Sequence, residues 1–419
     1  MRTPFLIFSS ILCVFLMFTP KKIDAQNLPT YKELKGKVID AKTNKTLSFS
    51  DLIVDGSNIS TITNSDGEFL LKVNSNLLDR DIVITHLGYE KKNIKISELN
   101  HHTKILLIPA VTELNAISIN PKKENARSMV LEVLKNKSMH NTDGKIMTAF
   151  YRETIKKRRK NASLSEAVVQ IHKQPINSLK REGIDLIKAR KSTDYSKLDT
   201  LALKLQGGPF SNLYTDVVKY TDYVFNKENM DMYTFSFDAP TKINNNTVYV
   251  INFKQTSFIK TPLYYGKLYV DAKTLALTSA IFSLNVSNKE LSSKMYIRRK
   301  PKKVDVYPTK ASYRVNYRTQ NGKWHYAYSN ILLTFKVNWK GKLFNSTYTL
   351  NSEMAITDWK HSNAKYAKTK NTMLRPTTIL TDKASGFSDP EFWGKYNIIE
   401  PEKSIETAIA KIKRQLKRT

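Results

Sequence analysis

Cysteine is almost missing from this chain. Its 419 residues hold a single one, Cys13, which lies inside an N-terminal apolar run from Phe5 to Phe18. One thiol cannot form an intrachain disulfide or a thiolate metal cluster. Histidine is scarce too: there are seven, at 86, 101, 102, 140, 172, 325 and 361, and none forms His-Glu-x-x-His or His-x-x-Glu. A protein zinc site needs imidazole or carboxylate ligands at close spacing plus a third ligand, so no metal site is legible here. Also lacking, after the N-terminus, is an apolar run of about 18 residues, the usual mark of a membrane-spanning helix. Stability must therefore come from packed cores without covalent staples.

The N-terminus has the layout of a secretory signal: Arg2, the apolar run, then a polar stretch ending Ile23-Asp24-Ala25-Gln26. The expectation is cleavage after Ala25, which also removes Cys13 and leaves an exported chain without any cysteine nucleophile. A cysteine-free exported protein suits a bacterial envelope: the periplasm or the outer membrane, with an extracellular place as the alternative. Charge is divided unevenly. Residues 26–120 hold 11 Lys or Arg against 11 Asp or Glu, whereas residues 121–419 hold 54 against 25. The whole basic excess belongs to the second part, which points to two units with different partners. A basic surface attracts nucleic acid, anionic lipid or acidic glycan, and export sets nucleic acid aside.

Residues 33–120 read as about seven short strands with turn signals between them, the pattern of a β-sandwich. Asn64-Ser65-Asp66-Gly67 is the sharpest turn. An EF-hand would need a bidentate Glu at its twelfth position, where Ser75 stands, and helical flanks, where alternating strands stand. Asp66-Gly67 instead supplies the positive φ of a tight hairpin, with Phe69 and Leu71 on one side and Leu70 and Lys72 on the other. Gly36-Lys37-Val38-Ile39-Asp40, then Thr61-Ile62-Thr63-Asn64-Ser65-Asp66-Gly67-Glu68-Phe69, then Ile84-Thr85-His86-Leu87-Gly88-Tyr89 occur in order. This unit resembles the carboxypeptidase-like regulatory domain, a transthyretin-like sandwich common in exported proteins of Bacteroidetes. Leu114 to Ile119 resembles the strand that usually follows it. The resemblance implies a non-catalytic accessory module.

Residues 121–140 predict a linking helix, with Ala126, Met129, Val130, Val133 and Leu134 on one stripe. From 141 to 360 long alternating segments predict a large curved antiparallel sheet or open barrel with flanking helices. Strands are expected at 146–155, 162–172, 233–237, 247–254, 263–271, 276–285, 294–299, 308–319, 323–338 and 343–356. The stretch 173–206 gives no clear reading beyond a loop at Gln206-Gly207-Gly208-Pro209. Asn321-Gly322, between Tyr313, Val315, Tyr317 and Trp324, Tyr326, Tyr328, predicts a hairpin. Residues 248–281 resemble the outer-membrane lipoprotein-sorting fold, in which a curved sheet wraps an acyl-chain cavity. The region from 140 onward also looks like a domain that often follows the regulatory module in Bacteroidetes. In the tail, 361–419, Phe392-Trp393 reads as an aromatic anchor and Pro401 onward as a terminal helix.

Two runs are the candidate contacts for an anionic partner: Lys156, Lys157, Arg158, Arg159 and Lys160, and Arg298, Arg299, Lys300, Lys302 and Lys303. Both follow alternating segments, so both should be loops at strand ends, where they could form one cationic collar. No catalytic or cofactor-binding residue can be named. Three readings stay open. A binder of lipid or lipoprotein needs an apolar cavity. An assembly or adhesion module that meets glycan or an outer-membrane protein needs a filled core. A hydrolase needs a cleft with converging polar groups.

Overall fold

A computed structural model describes residues 31–100, 102–110, 125–140, 143–193, 205–341, 343–361, 372–386, 391–403, 405 and 407. The signal segment, the 114–119 strand and most of the terminal helix lie outside the described residues.

The first unit is the expected sandwich of seven strands. β1 (Tyr31–Asp40) lies between β4 (Glu68–Asn74) and β7 (Thr103–Leu107), and pairs with β7 in parallel. The second sheet runs β3 (Ser60–Ile62), β2 (Asp51–Val54), β5 (Asp81–Thr85), β6 (Lys92–Lys95). Alternation sends Leu34, Val38, Leu52, Phe69, Leu71, Ile82 and Ile84 into one core between the sheets. The Asn64 turn is not a hairpin: β3 and β4 belong to different sheets, so it is the corner where the chain crosses from one sheet to the other. The Asn64 Oδ1 accepts from the backbone N–H of Asp66 and of Glu68, each at 2.9 Å. Gly67 has φ +74°, and a Cβ there would lie 2.9 Å from the Val38 carbonyl, so only glycine fits.

The second unit is one antiparallel sheet of ten strands in the order β10-β9-β8-β17-β16-β15-β14-β13-β12-β11. In chain order these are β8 (Lys145–Lys157), β9 (Lys160–Lys173), β10 (Gly183–Thr193), β11 (Tyr233–Ile243), β12 (Asn246–Gln255), β13 (Tyr264–Asp271), β14 (Leu277–Leu284), β15 (Val304–Gln320), β16 (Lys323–Trp339) and β17 (Ser346–His361). The sheet is open, with β10 and β11 at its ends. The β10 edge is capped by residues 372–386, through Leu186 N–H to the Thr372 carbonyl and Lys191 N–H to the Ser385 carbonyl, at 2.8 Å each. Such a cover removes a free strand edge. Asn321 and Gly322, at φ +49° and +72°, form the expected hairpin turn between β15 and β16.

Helix α1 (Ala126–Lys135) falls within the expected linking helix, capped by the Asn125 side chain. α2 is a short helix, Pro209–Leu213. Two further readings need correction. Residues 294–299 are not a strand: α3 (Lys289–Tyr296) takes their first half and a connection to β15 the rest, the helix being started by Asn288 accepting from the Leu291 N–H. The cap and the Glu290–Lys294 pair, four residues apart, outweigh a weak alternation. Within 173–206, β10 is an extra strand; its lysines and arginines masked the alternation of Ile184, Ala189 and their neighbours.

The two faces of the large sheet are covered differently. On the outer face, Phe150, Val168, Tyr328 and Ala355 meet Ile62 and Leu70 of the sandwich and Trp393, Ile398 and Ile399 of the C-terminal segment. The sandwich is thus packed directly on the sheet. Arg318 of β15 pairs with Asp51 of β2 at 2.9 Å. On the inner face, α1, α2 and residues 214–230 pack over Met147, Ala149, Tyr151, Val315, Tyr317 and Tyr326. A bulge decides which tyrosine goes where. Asn316 pairs with Tyr328 but Tyr317 pairs with Tyr326, so Ala327 is an extra residue. Tyr326 therefore faces inward and Tyr328 outward, although simple alternation would put them on one face.

Candidate functional site

The inner face is incompletely filled. A cavity of about 710 Å³ lies between the sheet, α3 and the segment that carries α2. Its apolar wall comes from β15, β16 and β17: Val306, Tyr313, Ile331, Leu333, Phe335 and Leu350. These belong to a buried apolar cluster that also includes Ile155 and Tyr348. The opposite wall is Leu205, Gln206, Gly208, Ser211, Tyr214, Tyr223 and Pro376. Alternation on long strands explains the apolar wall: every second residue of β16 from Ile331 to Val337 points the same way.

Helix α2 sets the depth of this space. The Asn212 Nδ2 donates to Ser329 Oγ at 3.0 Å, Ser352 Oγ donates to Asn212 Oδ1 at 2.8 Å, and the Tyr326 hydroxyl donates to the Asn212 carbonyl at 3.0 Å. Next to α2, buried Asp216 accepts from Lys173 Nζ at 2.7 Å and from the Tyr317 hydroxyl at 2.8 Å. Fully paired, these groups hold the inner cover in one position.

A buried acid stands beside the cavity. Glu153 of β8 is opposite Ser352, and its Oε2 accepts from the Tyr151 hydroxyl at 2.8 Å; both Tyr151 and Ser352 line the space. Burial pushes the Glu153 carboxyl up to about 7, against a lowering by the Tyr151 hydrogen bond. Among the described residues, the lining itself contains no histidine, aspartate or glutamate.

The two basic runs emerge at the same edge of the sheet. Lys156 and Lys157 end β8, Arg158 and Arg159 form the turn, and Lys160 starts β9. Arg298, Arg299, Lys300, Lys302 and Lys303 occupy the connection from α3 to β15. β17 and β16 separate the runs, so about 14 Å of sheet lies between β8 and β15. Only Arg298, Arg299 and Lys300 line the cavity. Lys156 is 3.7 Å from Glu402, and Lys157 lies over the Tyr348 ring. The lining from 205 to 223 was illegible in the sequence. Its one signal was Gly207-Gly208-Pro209, read as a loop, which begins α2.

Residues 34–119 match the family model described as CarboxypepD_reg-like domain, in agreement with the motifs of the first unit. No curated protein matches the sequence. Among solved structures, the chain is similar to a DUF1329 family protein from Desulfovibrio piger, at 9% identity and TM-score 0.23 over 58% of this chain and 96% of that one. A LolA superfamily protein from Nitrosomonas europaea gives 7% identity and TM-score 0.23 over 58% and 96%. MucB gives 9% and 0.20 over 57% and 98%. Scores this low carry no inference about a ligand.

Proposed function

We propose that this protein is a non-catalytic binder of an amphiphile in the bacterial envelope, and that it takes an acyl chain into the cavity of the large sheet. The observation that carries the reading is the cavity itself. Its volume of about 710 Å³ lies within the usual range for small-molecule sites, its sheet wall is mainly Val, Ile, Leu, Phe and Tyr, its other wall adds Gln206, Ser211 and two tyrosines, and Arg298, Arg299 and Lys300 stand along it. Each methylene moved from water to such a wall contributes about 0.8 kcal/mol, so about ten of them contribute on the order of 8 kcal/mol before ordering costs. The guanidinium groups suit a phosphate or carboxylate headgroup, which a planar fork of donors binds by two hydrogen bonds. Among the described residues the lining offers hydroxyls and cations but no carboxylate or imidazole, which supports binding over hydrolysis. An incompletely filled inner face supports a carrier over a purely structural module. In this reading the sandwich is an accessory that closes the outer face, and the N-terminal signal delivers the chain to the envelope.

The test is native mass spectrometry with lipid extraction on the protein purified from its own envelope. A stoichiometric bound lipid is expected, and Leu333→Trp, which fills the cavity, should release it while the protein still melts cooperatively. A clean apo mass, with no uptake of dispersed lipid on titration, would overturn the proposal.

A further inference from the structure

In an all-antiparallel sheet, alternate connections leave from the same edge. At the edge where β8 ends, five emerge: the β8–β9 turn, the long β10–β11 connection that carries α2, the β12–β13 loop (256–263), the β14–β15 connection with α3, and the β16–β17 loop. Two of these loops hold apolar side chains out in solvent: Phe258 is 92% exposed, Leu343 95% and Phe344 79%. Met295 of α3 is half-exposed beside them. Buried apolar area is what holds a fold together, so these three side chains contribute nothing to this one.

Cations stand between the apolar tips. Arg158 and Arg159 are exposed in the first turn, and Arg298, Arg299, Lys302 and Lys303 are exposed on the α3–β15 stretch. Among the described residues none of these six forms an ion pair. Among the described residues, the exposed or half-buried acids of this edge are Glu290, paired with Lys294 at 2.6 Å, Asp305, Glu402 beside Lys156, and, on the β10–β11 connection, Asp222, Glu228 and Asp231, the last paired with Arg127. Positive charge therefore dominates the edge. Apolar tips interleaved with cations match a surface with phosphates outside and acyl chains beneath.

We infer that this edge docks on an anionic bilayer, with Phe258, Leu343 and Phe344 entering the headgroup–acyl boundary and the surrounding arginines and lysines meeting lipid phosphates. A polyanionic glycan would engage the cations but would leave the three apolar tips in water, so the tips favour a bilayer. Arg298 and Arg299 belong both to this edge and to the cavity. The inference thus deepens the amphiphile reading, since the bilayer becomes the surface from which the ligand enters. The docking geometry itself does not depend on the cavity being occupied.

Flotation with lipid vesicles tests it. The protein should float with vesicles of phosphatidylethanolamine mixed with phosphatidylglycerol, poorly with phosphatidylethanolamine alone, and less as salt is raised. The double variant Leu343→Asp, Phe344→Asp should weaken partition by at least about tenfold. Both side chains are exposed, so its melting temperature should match wild type. Lys302→Glu with Lys303→Glu should weaken binding to the mixed vesicles only. Absence of flotation, or equal flotation of the Leu343/Phe344 variant, overturns the inference. So does binding of heparin by wild type and Leu343/Phe344 variant alike with no partition of either to the mixed vesicles, which would make the edge a glycan site. Native mass spectrometry of the Leu343/Phe344 variant with detergent-dispersed lipid separates the two claims. Uptake by a variant that no longer floats keeps the cavity reading and supports docking as a separate step. No uptake by a wild-type protein that does float removes the cavity reading alone.

Discussion

The two faces of the large sheet are built from the same strands but finished in opposite ways. The outer face is closed by the sandwich and the C-terminal segment, and it buries charge. Arg152 lies between Glu166, at 2.8 Å, and Glu353, at 3.3 Å; Arg190 completes the set on Glu166 at 2.8 Å. The Arg152 guanidinium also donates to the Ile399 carbonyl at 2.6 Å, which fastens the C-terminal segment. The inner face is lined by aliphatic and aromatic side chains and keeps about 710 Å³ open. A face meant only for stability is filled. The proposed binding role rests on this contrast. The Asp51–Arg318 pair fits this view of the outer face. Burial raises the Asp51 carboxyl and lowers the Arg318 guanidinium, so desolvation outweighs their attraction, and the pair favours one docking position more than it adds stability.

The largest expected break of this contrast is on the outer face. Arg152→Ala leaves Glu166 and Glu353 buried with reduced compensation, and should cost about 3–5 kcal/mol in urea unfolding. A cost below about 1 kcal/mol would mean that the outer face is not locked by its charges.

Glu153 sharpens the contrast from the inner side, because folding favours its neutral form. Its pKa rises from 4.5 to about 7, so the stability it contributes is complete below pH 4.5 and lost as pH rises through 7. Glu153→Gln cannot ionise and still accepts from Tyr151. The stability of the variant minus that of wild type should therefore rise by about 2–3 kcal/mol between about pH 5 and pH 8. Urea melts at both pH values read it; a flat difference would show that the carboxyl is hydrated.

The smallest effect belongs to the cavity wall. Leu333→Ala should cost about 2 kcal/mol, the low end for a core leucine, because the side chain already borders open space. A cost near 5 kcal/mol would mean that the wall is packed as tightly as the outer face.

Much of the architecture was legible. Turn chemistry located a chain reversal at Asp66-Gly67, which passes between sheets, and a hairpin at Asn321-Gly322, because positive φ is a local demand on the backbone. Period-two runs located nine of the ten long strands, since a strand between two layers needs alternate apolar residues. α3 and β10 were misread or missed where local signals were weak: one is a two-turn helix held by its cap, the other a strand rich in lysine and arginine. The basic runs were found as strand-end loops, but only one of them reaches the cavity.

By itself, then, the sequence determined the sandwich, the long sheet, the neutral-to-basic division and the loops that carry the charge. Those properties depend on neighbours within a few residues. The tertiary structure alone decided that the sandwich packs on the outer face, that the Ala327 bulge turns Tyr326 and Tyr328 to opposite faces, and that Asn212 holds α2 above an open cavity. The first and the last depend on contacts between residues about a hundred or more positions apart, which no local pattern in the chain encodes, and the bulge depends on the register of the β15–β16 pair, which the alternation by itself did not show.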